Sequence, residues 1–169
     1  MNKKVIFLDG PIGSGKSTLG KELALRMGGQ FLDGDDYSEP SLPWYTSALS
    51  TCHSIASAAL TALQSCSLVI VAYPLRSREW IFFERTFYRE GVHAFCVGLR
   101  ASYTSIVALH RLREFSVQEH QRIQVMIDEG YGQRPFSALI VESGESDLGL
   151  TLARLEDDLR KMLAAGEMP

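Results

Sequence analysis

Nine consecutive residues near the amino end constrain this chain more than any other stretch: Gly10-Pro11-Ile12-Gly13-Ser14-Gly15-Lys16-Ser17-Thr18. They fit G-x-x-x-x-G-K-[ST], the phosphate-binding P-loop. Val5-Ile6-Phe7-Leu8 ahead of them is a short apolar run of strand formers, and Leu19, Leu23 and Met27 behind them recur at helical spacing. A strand, a glycine-rich turn and a helix start are the setting in which such a loop works. Gly10, Gly13 and Gly15 let the backbone wrap phosphate closely and turn its N–H groups inward. The helix N-terminus adds a partial positive charge at the same point. Lys16 is spaced to reach the β- and γ-phosphates, and the Ser17 hydroxyl to ligate Mg²⁺. All nine residues are candidate contacts to a nucleoside triphosphate.

Composition narrows what surrounds the loop. A chain of 169 residues, 46% hydrophobic and 22% charged, reads as one globular domain. A net charge of −3 argues against a general nucleic-acid binder. No apolar run approaches the length of a membrane span. The first apolar run is too short for a signal peptide, and the loop follows at once. Cys52, Cys66 and Cys96 are odd in number and show neither metal spacing nor a disulfide framework, so a reducing cytoplasm is the expected location. Lysine occurs only at 3, 4, 16, 21 and 161; elsewhere the cation is arginine. That choice suits two-pronged recognition of phosphate or carboxylate, and equally a general compositional preference.

Taken in order, the first helix should run from about Lys16 to Met27 and stop at Gly28-Gly29. Gln30–Asp33 reads as a second strand that empties into Gly34-Asp35-Asp36-Tyr37. Ligands of open α/β sheets sit beyond the carboxyl ends of strands, so this acidic cluster would face the same crevice as the loop. There Asp33 could join a Mg²⁺ shell and Asp35 could orient or deprotonate a substrate hydroxyl; the other reading is ordinary turn chemistry. Pro43-Trp44 opens a long helix whose stripe Trp44, Ala48, Cys52, Ile55, Ala59 and Leu63, with Leu49, Ala56 and Leu60 beside it, should be mostly core. Trp44 and Tyr45 either wall a substrate pocket or pack structurally, and His53 is structural or exposed. Leu68–Ala72 is continuously apolar, as in a central parallel strand. Beyond it, Arg76 and Arg78 would hold an anionic substrate, unless Ser77 caps the next helix and the arginines are only solvated. Trp80, Phe83 and Phe87 on that helix, 78–90, should be core.

Residues 92–99 should form the fourth strand, with Ser102 and Ser116 as N-caps of two following helices, the second in a capping box. The arginine-rich stretch 111–135, containing Arg111, Arg113, Arg122 and Gly130-Tyr131-Gly132, reads as a mobile lid over the nucleotide. A fifth strand at 137–141 leads to a polar loop at 142–147, which would lie beside the P-loop if strand five neighbours strand one. Leu148, Leu152, Leu155, Leu159 and Leu163 form the stripe of a last helix. Strands alternating with helices imply a three-layer α/β/α fold with a five-stranded parallel sheet, a P-loop NTPase arrangement.

Phe31-Leu32-Asp33-Gly34-Asp35-Asp36 is similar to the segment after strand two of gluconate kinases. Pro43-Trp44-Tyr45 resembles their Pro-Trp-Leu, and Val71-Ala72 with Arg76 and Arg78 is similar to their third-strand stretch. Asp33-Gly34-Asp35 also matches the Asp-x-Asp of shikimate kinases. The chain thus resembles the small P-loop metabolite kinases. The resemblance implies phosphoryl transfer from ATP to a hydroxyl of a small molecule, with Mg²⁺, a lid arginine and an adenine-binding loop near 142–147. The segment between Asp36 and Pro43 is far shorter than in gluconate kinases, and Tyr73-Pro74-Leu75 stands where shikimate kinases have three glycines. The reaction type therefore carries over and the acceptor does not.

The expected activity is that of a small-molecule kinase. Lys16 and the loop would hold the phosphates, and Ser17 and Asp33 would manage Mg²⁺. Asp35 would serve the acceptor hydroxyl, beside Asp36 and Trp44. Arg76 and Arg78 would bind acceptor anions such as a sugar acid. Arg113, with Arg111 on the nucleotide, or Arg122 would close from the lid. The alternatives are a nucleoside or nucleotide kinase, and a nucleotide-dependent regulatory module without turnover. No Asn-Lys-x-Asp guanine motif occurs.

Overall fold

The structure is a computed structural model. It describes residues 3–39, 41, 43–109, 114–144 and 147–165. Five strands, β1 (Lys4–Asp9), β2 (Gln30–Asp33), β3 (Leu68–Ala72), β4 (His93–Arg100) and β5 (Leu139–Glu142), alternate with helices α1 (Lys16–Met27), α2 (Trp44–Ala62), α3 (Ser77–Arg89), α4 (Tyr103–Leu109), α5 (Val117–Asp128) and α6 (Leu148–Ala165). All strand pairs are parallel, in the order β2-β3-β1-β4-β5.

The three layers follow from the two-residue period of the strands. Val5 and Phe7 of β1, with Val69 and Val71 of β3, face one side and pack under α2 and α3. Ile6 and Leu8, with Leu68 and Ile70, face the other side and pack under α1 and α6. Both faces are covered, so β3 carries no polar residue and all five of its residues are buried. Phe7 and Phe83 lie 4.5 Å apart between ring centroids, which fixes α3 on the first face. The expected stripe Trp80, Phe83 and Phe87 is core.

β1 and β3 are neighbours, yet the helix leaving β1 crosses one face and the helix leaving β3 crosses the other. That opens a crevice at their carboxyl ends, the usual place for a ligand in such a sheet. A small third cluster of Ala101, Ile106 and Ile123, with Ile12 packed against it, sets α4 and α5 over the same end.

Four expectations change. β4 pairs with β1 from His93 to Gly98, so it stands between β1 and β5. The loop after β5 is therefore held beside the end of β4, where the Ser143 amide donates to the Arg100 carbonyl at 2.8 Å. β5 itself begins two residues later than expected, at Leu139. Leu49 is 64% exposed, in an open groove that it lines with Arg78 and Phe82, and Leu148, the first residue of its helix, is 47% exposed. Ser77 is the first residue of α3 rather than its cap; Arg76 holds the N-cap position, and its amide donates to Glu79 Oε2 at 3.1 Å. The caps at Ser102 and Ser116 form as expected: each hydroxyl accepts an amide three residues on, from Ser105 and from Glu119 at 3.1 Å.

Candidate active site

The P-loop leaves β1 at Gly10 and enters α1 at Lys16. Gly13 and Gly15 take φ values of +79° and +90°, a region costly for residues with a Cβ. Gly10 is needed for space: a Cβ there would come within 2.8 Å of the Leu99 carbonyl oxygen. Lys16 turns back into the loop, where Nζ donates to the carbonyls of Gly10 at 2.9 Å and Pro11 at 2.8 Å. Burial pushes its pKa down to about 8, with the carboxylates of Asp9, Asp35 and Asp33 opposing. Among the described residues, Ser14 Oγ is the one buried side-chain oxygen or nitrogen without a hydrogen-bond partner.

The acidic cluster comes to the same place. Ser17 Oγ donates to Asp33 Oδ2 at 2.7 Å, and Asp33 Oδ1 accepts the Asp35 amide at 3.2 Å. Gly34–Tyr37 forms a 3-10 turn with Asp33 as its N-cap. The turn chemistry and the site chemistry thus coincide: the carboxylate that caps the turn is the one that meets Ser17. Asp35 has a raised pKa, through partial burial of its carboxyl and then the Asp33 charge, with Asp36 adding and Lys16 opposing.

Two cavities meet here. One, of about 360 Å³, is lined by Gly13, Lys16, Ser17, Thr18 and Asp33, with Glu119 and Met126 of α5 above. The second, of about 320 Å³, is lined by Ser47, Thr51, Tyr73, Arg76, Glu79 and Arg122 among others. Asp35, Ile12, Pro74 and Met126 line both. Asp35 therefore stands at the junction of a cradle formed by the P-loop and a chamber whose largely apolar wall carries a few charged side chains.

The expected site residues divide accordingly. Gly13, Gly15, Lys16, Ser17, Thr18, Asp33 and Asp35 surround the first cavity, and Arg76 enters the second. Asp36 lines neither cavity and is exposed on the turn. Arg78 lines a different groove, with Leu49, Cys52 and Phe82. His53 is exposed and stacks edge-on against Phe82. The side chains of Trp44 and Tyr45, and residues Arg111 and Arg113, lie outside the described residues.

Within the stretch 111–135, α5 brings Glu119, Arg122 and Met126 to the cavities. Gly130-Tyr131-Gly132, in the same stretch, is anchored at the end of β1. Tyr131 is buried, and the Gly132 amide donates to Asp9 Oδ2 at 2.8 Å. Asp9, at the end of β1, is fully buried, and its Oδ1 accepts the Leu75 amide at 2.8 Å. Burial raises its pKa, with the Leu75 and Gly132 amides and Arg134 opposing. Sequence reasoning passes over Asp9. The available signal is a carboxylate placed directly after four apolar residues in a strand that must be buried.

No family model matches the chain. Shikimate kinase of Francisella tularensis subsp. novicida is 56% identical over 36 residues, which cover 21% of this chain and only 20% of that enzyme. Two solved structures align over nearly the whole length. A gluconokinase from Sinorhizobium meliloti is 19% identical, with a TM-score of 0.65 over 95% of this chain and 97% of the other. A sugar kinase from a Janibacter species is 15% identical, with a TM-score of 0.73 over 95% of each. At that identity the alignments establish architecture: a five-stranded parallel sheet wrapped by helices, the fold of those two structures.

Proposed function

We propose that the chain is an ATP-dependent small-molecule kinase that transfers the γ-phosphoryl group to a hydroxyl of a small metabolite, a sugar acid or other anionic acceptor. One observation carries this reading: the Asp35 carboxyl lines both the cavity at the P-loop and the neighbouring chamber, whose largely apolar wall carries Arg76, Glu79 and Arg122. A hydroxyl in the chamber and a terminal phosphate in the cradle would meet beside it.

The enzyme's task in phosphoryl transfer is positioning and charge stabilisation. The loop from Gly10 to Thr18 would hold the β- and γ-phosphates with its amides, and Lys16 would place its ammonium against their oxygens. Ser17 Oγ and Asp33 Oδ2, 2.7 Å apart, are a pair of hard oxygen donors beside the cradle and fit Mg²⁺. Bound there, the ion would neutralise charge on phosphate oxygens. Asp35 would accept the acceptor's proton. Its raised pKa suits a base that must hold a proton as transfer proceeds. Arg76 would hold the acceptor's anionic group, and Arg122 would bring a further positive charge from α5. Arg111 and Arg113 remain proposed contacts from the connection between α4 and α5. Three free thiols agree with a cytoplasmic setting. Among the described residues, no helix is long and apolar enough to cross a membrane.

ADP release from Mg-ATP, measured across sugar acids, polyols, shikimate-like acids, nucleosides and nucleotides, tests the proposal. Stimulation by a small hydroxylated acid is the expected outcome. Stimulation only by nucleosides or nucleotides would instead make the chain a nucleotide-pathway kinase. Tight ATP binding with a flat panel would favour a regulatory module.

A further inference from the structure

Asp9 has no part in the chemistry just described, yet it is one of the most constrained side chains in the molecule. Its two oxygens accept amides that lie 66 and 123 residues further along the chain. A buried carboxylate needs such partners, because unpaired it would cost far more than an apolar residue in its place. Arg134 Nε stands 3.9 Å from Oδ2 and donates to the Leu75 carbonyl at 2.9 Å. Its Nη1 donates to the Glu129 carbonyl at 2.6 Å, and its guanidinium lies 4.0 Å from the centroid of the Tyr131 ring. Tyr131 Oη in turn accepts from Arg76 Nε at 2.9 Å. The chain of contacts that starts at the root of the P-loop therefore ends on the arginine of the acceptor chamber.

The backbone is shaped to allow this. Gly132 has φ +85°, and a Cβ on it would sit 2.2 Å from the Leu99 carbonyl oxygen. A Cβ on Gly98 would sit 2.1 Å from the Gly132 carbonyl oxygen. Two glycines let the loop after α5 press against β4 closely enough for the Gly132 amide to reach Asp9.

We propose that Asp9 is a positioning residue of the acceptor chamber: by holding the Leu75 and Gly132 amides it sets Tyr131, and through Tyr131 the Arg76 guanidinium, at a fixed place relative to the phosphate loop. This rests on the kinase reading of the site. The competing role is a purely structural rivet, which would affect stability and leave acceptor recognition unchanged.

Two variants separate the roles. Asp9→Asn keeps the volume but turns one acceptor oxygen into a donor, facing either the Leu75 or the Gly132 amide. Tyr131→Phe removes only the bond to Arg76. Hydrogen–deuterium exchange of the full chain needs no acceptor, and Asp9→Asn should speed exchange about tenfold in both 73–79 and 128–136. Unchanged exchange in those stretches would overturn the proposal. Tyr131→Phe should keep the thermal midpoint and the affinity for fluorescent methylanthraniloyl-ADP near wild type. It should also raise KM about tenfold for the compound that best stimulates ADP release, with kcat moving less. The double variant should show no larger KM than Asp9→Asn alone, because both act through one path. Stimulated turnover with KM unmoved in both variants would reject the positioning role and leave the kinase reading intact. A wild-type panel without any stimulation would reject the kinase reading and the positioning role together.

Discussion

The proposed phosphate half of the crevice takes six of its lining residues from one loop, between Ile12 and Thr18, with Asp33 and Asp35 from the β2 turn and Glu119 and Met126 from α5, whereas the proposed acceptor half collects Thr51, Arg76, Arg122 and Tyr131 from four separate segments. In the first, geometry is local: glycines at φ +79° and +90° and the start of α1 bring Lys16 and Ser17 to one point. In the second, each side chain arrives on its own element, and its position depends on how α2, α3 and α5 pack. A contiguous loop can be transferred whole between proteins and still bind phosphate. A chamber assembled from distant elements can change its ligand through small shifts in packing while the chemistry next door stays the same.

The sharpest way to break the contrast is Lys16→Ala. If the loop is the phosphate cradle, turnover should fall by about 10³ or more, comparable to losing a principal charge-stabilising donor, while the circular dichroism melt stays close to wild type. Retained turnover would remove Lys16 from the mechanism. Asp35→Asn tests the junction between the halves. Loss of a general base costs about 10²-fold or more in kcat, and nucleotide affinity should change by no more than about threefold. An equal loss in both would mean that Asp35 belongs to the cradle alone.

Legibility follows the same division. The P-loop, α1 with its Gly28 stop, and the bounds of β2 and β3 read directly, because each depends on neighbours within a few residues. Asp33 reads well for a similar reason: it caps the turn it begins. Asp9 does not, since its partners lie 66 and 123 residues away and nothing near it signals them. The anchoring of Tyr131 and Gly132 is hidden as well. Glycine, tyrosine and glycine in an arginine-rich stretch look mobile until β4 supplies the surface against which they close. Strand order has the same character. Nothing local states that β4 enters between β1 and β5; that outcome depends on the whole set of connections.

A smaller effect sharpens the cradle side. The Lys16 pKa is held at about 8 by burial, so its ammonium is lost as pH rises through that value. Phosphate binds the charged form and raises its pKa, so nucleotide binding takes up a proton above pH 8. Affinity for methylanthraniloyl-ADP should therefore be flat from pH 6.5 to 7.5 and weaken above about 8, by up to about tenfold per pH unit. The sign follows from the direction of the shift: a depressed lysine must be recharged to bind an anion, and recharging grows harder as protons become scarce. The same profile in Lys16→Met would assign the pH dependence to another group.

The smallest effect concerns the two arginines that follow β3, which sequence alone treats as a pair. They are separated by one residue at the start of α3, so their side chains leave the helix in different directions. Arg76 lines both the chamber, where it donates to Tyr131, and the outer groove, while Arg78 lines the outer groove alone, with Leu49 and Phe82. Arg76→Ala should raise acceptor KM by about tenfold or more, as expected when a charged hydrogen-bond partner is removed from an anion. Arg78→Ala should leave KM and kcat within about twofold, since exposed charges outside a site contribute little. Steady-state kinetics on the two variants side by side decide the matter. Equal losses would mean that the acceptor extends out of the chamber and along α3, and the acceptor half would then be a larger surface than the cavity beside Asp35.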